Sequence, residues 1–86
     1  MYELEWLPEA VEDLSRLDRP VARRIFDKMR WLAENFEQVT PEPLRGEWRG
    51  VYKFRVGPYR VLYTVEREKR RITVHLVGHR RDVYRR

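Results

Sequence analysis

Cysteine is absent from this 86-residue sequence, and histidine is limited to His75 and His79. Without thiolates a disulfide framework is excluded, and two imidazoles are too few for a structural zinc site. No apolar run approaches the roughly 20 residues of a membrane-spanning helix, so no membrane partner is expected. Met1 leads straight into an alternating, strand-like segment and not into the apolar stretch of a signal peptide; a cytoplasmic location is the expectation. Four glycines are present, and none belongs to a Gly-rich phosphate loop. No serine stands with a histidine in a nucleophile–base pattern, and no small-molecule cofactor or metal is implied.

What is present is enough for one domain spanning 1–86. Hydrophobic residues make up 42% of the chain and aromatic residues 13%, sufficient for a core at a length that leaves no room for a second. The formal charge of +5 is unevenly distributed. Residues 1–43 hold six Lys/Arg against ten Asp/Glu, a net of −4, whereas residues 44–86 hold thirteen against four, a net of +9. Such asymmetry points to a polyanionic or acidic partner for the second half.

Tyr2, Leu4 and Trp6 alternate with Glu3 and Glu5 as a first strand with one buried face. Pro8 suits a helix's first turn, and Ala10, Val11, Leu14 and Leu17 follow at helical spacing. Asp18 and Pro20 mark a second helix start, and Val21, Ile25, Met29, Leu32 and Phe36 form its apolar face. Arg23, Arg24, Lys28 and Arg30 fall largely off that face, as a solvated helix back would. Pro41, Pro43, Gly46 and Gly50 then punctuate a loop.

The segment VYKFRVGPYRVLY, Val51 to Tyr63, reads as a β-hairpin closed by Gly57-Pro58. Its register sets Val56 opposite Tyr59, Arg55 opposite Arg60, Phe54 opposite Val61 and Tyr52 opposite Tyr63. The apolar members seat a helical layer, while Lys53, Arg55 and Arg60 occupy the other face. Like charges directly opposite one another destabilise a sheet. Two readings stay open: an anion such as RNA fills that face, or the guanidinium groups splay into water. After the charged turn 66–71, Ile72, Val74 and Leu76 form a further strand that Gly78 ends. The tail HRRDVYRR is compatible with a short helical turn.

The order β-α-α-β-β-β gives an α+β fold. The expected architecture is a two-layer, mostly antiparallel four-stranded sheet with two N-terminal helices on one face, the next strand running antiparallel to the first. On the open side the candidates are Lys53, Arg55, Arg60, His79, Arg80, Arg81 and Tyr84. They include no carboxylate pair for glycosidase-type or two-metal chemistry. The set suits scission of RNA by its own 2′-hydroxyl, a reaction that needs a base, cations around the phosphorane and a proton donor. Lys, Arg and Tyr can supply these without metal. Tyr84 has a plainer reading, packing over the sheet edge, and His75, outside this set, reads as an ordinary sheet histidine.

Three separated motifs, PLRG (Pro43–Gly46), VYKFRVGPYRVLY and VGHRRDVYR (Val77–Arg85), resemble the RelE branch of the RelE/ParE toxin superfamily. The opening YELEWLPEAVEDLSRLD is similar to that family's first strand and helix, so the resemblance covers essentially the whole chain. It implies a cognate antitoxin, with an acidic amphipathic segment, as partner. For the RelE branch it also implies metal-independent cleavage of mRNA in the ribosomal A site. By motif position Lys53 and Arg55 match the two basic residues of the hairpin's first strand, and Arg60 the arginine of its second. Arg80 and Tyr84 match the C-terminal arginine and tyrosine. His79 stands where some relatives use a histidine, which makes it a second-rank catalytic candidate. Arg55 replaces a lysine of the best-known members, and arginine is a poor base, which leaves that role to Lys53. The tail is two residues tighter between Arg80 and Tyr84. The alternatives are a ParE-like poison of DNA gyrase that cuts no RNA, and a catalytically silent relative that binds antitoxin or RNA.

Overall fold

Prolines open both helices. In the computed structural model, which describes residues 1–85, Pro8 is the first residue of α1 (Pro8–Ser15) and Pro20 the second of α2 (Arg19–Glu34). The missing N–H of each falls where a helix has no internal partner to offer. Asp18 is the N-cap of α2, but its side chain makes no capping bond; its carbonyl accepts from Ala22 N–H at 2.9 Å. Ile25, Met29 and Leu32 are fully buried from α2, as their spacing requires, and Phe36 follows in a 3-10 turn at Phe36–Gln38. Trp31 stays 48% exposed on the helix flank. No helix of the described residues is long and apolar enough to cross a membrane.

The sheet has five strands: β1 (Glu3–Trp6), β2 (Glu42–Pro43), β3 (Tyr52–Val56), β4 (Tyr59–Glu66) and β5 (Arg71–His79). Their spatial order is β1-β5-β4-β3-β2. Three of the four pairings are antiparallel, and β1 pairs with β5 in parallel, Leu4 beside Ile72 and Trp6 beside Val74. Two expectations are corrected here. A fifth strand exists, because Pro41 and Pro43 hold Glu42 extended at an edge, where a missing N–H costs no ladder bond. Strand β3 also runs parallel to β1 and not against it, since β1 is parallel to β5 while β4 is antiparallel to both β5 and β3.

One face of the sheet carries the core. Val56, Val61, Tyr63, Ile72, Val74 and Val77 pack with Ala10 of α1 and Ile25, Met29, Leu32 and Ala33 of α2. At one end the rings of Tyr2, Phe36, Tyr63 and Tyr52 form a chain with centroid separations of 4.7, 6.3 and 5.7 Å, within the range of favourable aromatic pairs. Burial and then the neighbouring Tyr52 push the Tyr63 phenol up to about 12.

Between β4 and β5 the alternation breaks. Leu62 pairs with Leu76 but Tyr63 pairs with Val74, so His75 has no opposite number. This β-bulge turns Val77 inward to the core, 2% exposed, instead of outward with Thr73 and His75. The backbone N–H of Val77 donates to Oδ2 of Asp13 at 2.9 Å, and Asp13, 5% exposed, is the buried charged residue of α1. A helix side chain thus receives a donor from the irregular part of the ladder.

Asp13→Ala should lower stability by about 1–3 kcal/mol, the cost of leaving a buried donor unmet, whereas Asp13→Asn, which keeps an acceptor, should lose less. Urea midpoints at unchanged slope measure both; equal stability of Asp13→Ala and the parent would deny the carboxylate this role. The Tyr63 phenol gives a second expectation. Its folded-state pKa lies above the unfolded value near 10, so its contribution is complete below pH 10 and is lost as pH rises toward 12. Tyr63→Phe should flatten the fall in stability over that window, and a curve identical to the parent's would refute the assignment.

Candidate functional site

The site is built on the β3–β4 hairpin. Gly57 has φ of +58°, and the ring of Pro58 fixes a negative φ; this sequence of signs belongs to a type II′ turn, whose twist matches the strands it joins. The register is the one the alternation implies, Arg55 opposite Arg60 and Val56 opposite Tyr59. Because Val56 and Val61 face the core, Lys53, Arg55 and Arg60 share the opposite face.

The two opposed arginines are each held by a different acceptor. Arg55 donates from Nη2 to Oε2 of Glu42 at 3.1 Å, and Glu42 lies directly opposite Lys53 across the β2–β3 ladder. Arg60 folds back, its Nη1 donating to the carbonyls of Gly57 at 3.0 Å and Tyr59 at 2.9 Å. Glu42 is a site residue that sequence reasoning missed. Its signal is the Pro-Glu-Pro frame, which excludes a helix but also holds the extended backbone of an edge strand. The far side of the face is acidic, with Glu3 bonded to Arg71 at 3.2 Å and Glu5 to Thr73 at 3.4 Å. Charge on this surface therefore runs from negative at β1 to positive at the hairpin.

The face is not wholly open. Leu62, which alternates with the core residues Val61 and Tyr63 and so falls on this face, is fully buried, and Val77 has turned to the core. Trp48 and Val51 share a small cleft with His75 and Leu76, which places the 3-10 turn at Gly46–Trp48 over that part of the sheet. Thr64 Oγ1 and His75 Nε2 lie 2.9 Å apart in a hydrogen bond that ties β4 to β5, as for an ordinary sheet histidine.

The tail is tied to the hairpin turn. Arg80 N–H donates to the carbonyl of Pro58 at 2.8 Å, and Asp82 N–H donates to that of His79 at 2.9 Å. Val83 is fully buried against Gly78, where an added Cβ would come within 3.3 Å of the valine Cβ. The expected C-terminal turn is a 3-10 turn at Val83–Arg85; Arg86, the end of the basic tail, lies outside the described residues. Arg80 is exposed beside the turn. His79 pairs with Tyr59 and meets that ring edge-on at 5.8 Å, on the side of the sheet that Tyr59 faces. Its Nδ1 accepts from Arg81 N–H at 3.2 Å, a tail-shaping contact. Tyr84 is partly buried, and its hydroxyl is enclosed without a hydrogen-bond partner among the described residues.

An enclosed hydroxyl without a partner costs about 1–3 kcal/mol, and a group of that kind calls for an explanation. Tyr84→Phe should therefore leave stability unchanged or raise its thermal midpoint by a few degrees. A clear loss of stability would show that the hydroxyl is bonded in solution.

The family model for the ParE toxin of type II toxin–antitoxin systems matches residues 4–84. Toxin RelG of Mycobacterium tuberculosis is 42% identical over 45 residues, a match that covers 52% of each protein; the chain thus spans about half the length of that curated relative. Among solved structures, the toxin–antitoxin complex RelBE2 of Mycobacterium tuberculosis superposes with a TM-score of 0.82 at 28% identity, over 92% of this chain and 98% of that one. The isolated RelE toxin of E. coli gives 0.74 at 26% identity, over 92% and 84%. Five strands, two helices and the hairpin motif agree with these matches: the chain belongs to the RelE/ParE superfamily of toxins from type II toxin–antitoxin systems.

Proposed function

We propose that this protein is a ribosome-dependent mRNA endoribonuclease, inhibited by a cognate antitoxin whose acidic amphipathic segment covers the hairpin face. The observation that carries the reading is the placement of Lys53, Arg55 and Arg60 on one face, with Arg80 anchored to the same hairpin turn. Solved complexes of relatives, RelBE2 among them, contain toxin and antitoxin together, which supports a protein partner here.

In the reaction, the ribose 2′-oxygen attacks the adjacent phosphorus, and the 5′-oxygen of the next nucleotide departs. The products are a 2′,3′-cyclic phosphate and a 5′-hydroxyl. Arg55, Arg60 and Arg80 would hold the charge that gathers on the phosphorane, the term usually largest in such sites. Lys53 would take the 2′-hydroxyl proton, and Tyr84 would deliver one to the leaving oxygen once the tail turn shifts to release its hydroxyl. Arg60 is already fixed by two turn carbonyls, so little of its freedom is left to lose on binding. Arg55 must exchange Glu42 for phosphate; an exposed ion pair contributes only about 0–1 kcal/mol, so the exchange is easy. The acid–base groups are few, and RNA bent by the decoding centre would supply alignment worth several kcal/mol, up to roughly 7–11 in ideal cases.

The second reading, a gyrase poison, draws on the family model, which is named for ParE toxins. A single-turnover assay on one mRNA, with and without programmed ribosomes bearing a vacant A site, separates the two. Expected are slow cutting of free RNA in EDTA and much faster cutting on ribosomes. Arg60→Ala and Arg80→Ala should each lower the ribosomal rate about 100-fold or more, from a barrier rise on the order of 2.7–4 kcal/mol, with the fold intact. Unchanged rates in both variants would remove the site from this face, and gyrase-linked DNA breaks without RNA cleavage would establish the other reading.

A further inference from the structure

The back of α2 carries a feature that the hairpin site does not use. Arg24, Lys28 and Trp31 stand at i, i+4 and i+7, on one helix face. That face flanks the buried stripe of Ile25, Met29 and Leu32 on the side away from Phe26, which stacks on Trp6 of β1. With Pro20, Arg23 and Asp27 these residues line a shallow cleft of about 450 Å³. Asp27 is engaged by Arg23 at 3.3 Å, while Arg24 and Lys28 have no carboxylate partner among the described residues. Trp31 is 48% exposed, and no aromatic ring packs on it among the described residues. Glu34 borders the strip at its C-terminal end.

The other end of the strip reaches the hairpin. The guanidinium of Arg24 lies 3.7–3.9 Å from the position a Cβ on Gly57 would occupy, beside the turn that holds Arg60 and Arg80. The cations of the candidate site therefore continue around the hairpin tip onto the helical layer.

We propose that Arg24, Lys28 and Trp31 form an accessory docking strip for single-stranded RNA, with phosphates on the two cations and a base stacked on the indole. Cations interleaved with an exposed ring are what a sequence-tolerant single-strand platform needs. Seven residues of helix span about 10 Å, roughly the length of three stacked nucleotides. The choice of RNA rests on the reading of the hairpin site given above. The strip would grip nucleotides flanking the cut, and so contribute to binding more than to chemistry.

The test is fluorescence anisotropy with a labelled 2′-O-methyl RNA 12-mer, which cannot be cleaved, between 50 and 200 mM KCl. Arg24→Gln/Lys28→Gln should flatten the log–log salt dependence by about 1.4, two contacts at about 0.7 each. Trp31→Leu should weaken binding about tenfold with the slope unchanged, and Trp31→Phe, which keeps a ring, should recover most of it. Arg16→Gln, at a cation that caps the C-terminus of α1 away from the strip, should change neither. Unaltered affinity in folded Trp31→Leu, or an equal effect of Arg16→Gln, would overturn the strip. So would displacement of the RNA by poly-L-glutamate with the same dependence on Trp31, which would assign the surface to an acidic protein. Failure of the hairpin reading shows instead as unaltered cleavage in the Arg60 and Arg80 variants, so the two fail separately.

Discussion

The carbonyls of one two-residue turn hold the basic half of this molecule together. That of Gly57 accepts from Arg60, and that of Pro58 accepts from the backbone of Arg80. The turn also sets the hairpin register, and in a sheet a slip of one residue moves every side chain to the other face. Such a slip would put Phe54 and Val61 in water and Arg55 and Arg60 in the core. The apolar face that packs on α1 and α2 is therefore what keeps the basic face basic. The positive φ of Gly57 is part of this constraint, because a side chain there would be strained even though the space beside it holds only the end of Arg24.

Opposed arginines look at first like a cost accepted for the sake of a ligand. The structure offsets much of it internally. Glu42 meets Arg55, and the turn carbonyls meet Arg60, so the pair is divided between two acceptors that point apart. The two acceptors have different consequences. Neutral carbonyls orient Arg60 and leave its charge available, whereas the carboxylate of Glu42 competes with any phosphate for Arg55. In the proposed reaction Arg60 is consequently the better-prepared cation, and β2 becomes a modulator of the site and not only an edge.

The hairpin was legible because two local signals agree: strict alternation on both strands and a Gly-Pro step that fits one turn type. The helices were legible from their apolar spacing and their prolines. What escaped was non-local. The bulge at His75 inverts the alternation that Ile72, Val74 and Leu76 suggest, and its stabilising partner, Asp13, lies 64 residues away in a helix. No local pattern marks a lone acid in an apolar stripe as an acceptor for a distant strand. The parallel pairing of β1 with β5 is likewise a tertiary choice, made when the last strand inserts beside the first. The side that His79 takes is set in the same way, by its pairing with Tyr59 across the ladder and not by its place beside Arg80 in the chain.

Tyr84 connects stability to the proposed activity. Val83 needs the bare backbone of Gly78 to sit down, and once it does, the next residue's hydroxyl is enclosed without a partner among the described residues. A short 3-10 turn at a chain end, tied to the hairpin through the backbone of Arg80, has few bonds to break. The resting arrangement thus withholds the one phenol proposed as proton donor, at a free-energy cost that release would recover. In the proposed reaction a phosphate bound beside Arg80 would act on the same tail segment, four residues upstream of Tyr84. The ligand that the cations attract is then also the one placed to favour the exposed form, provided it binds that form more tightly, since a ligand shifts a conformational equilibrium only by its difference in affinity for the two states.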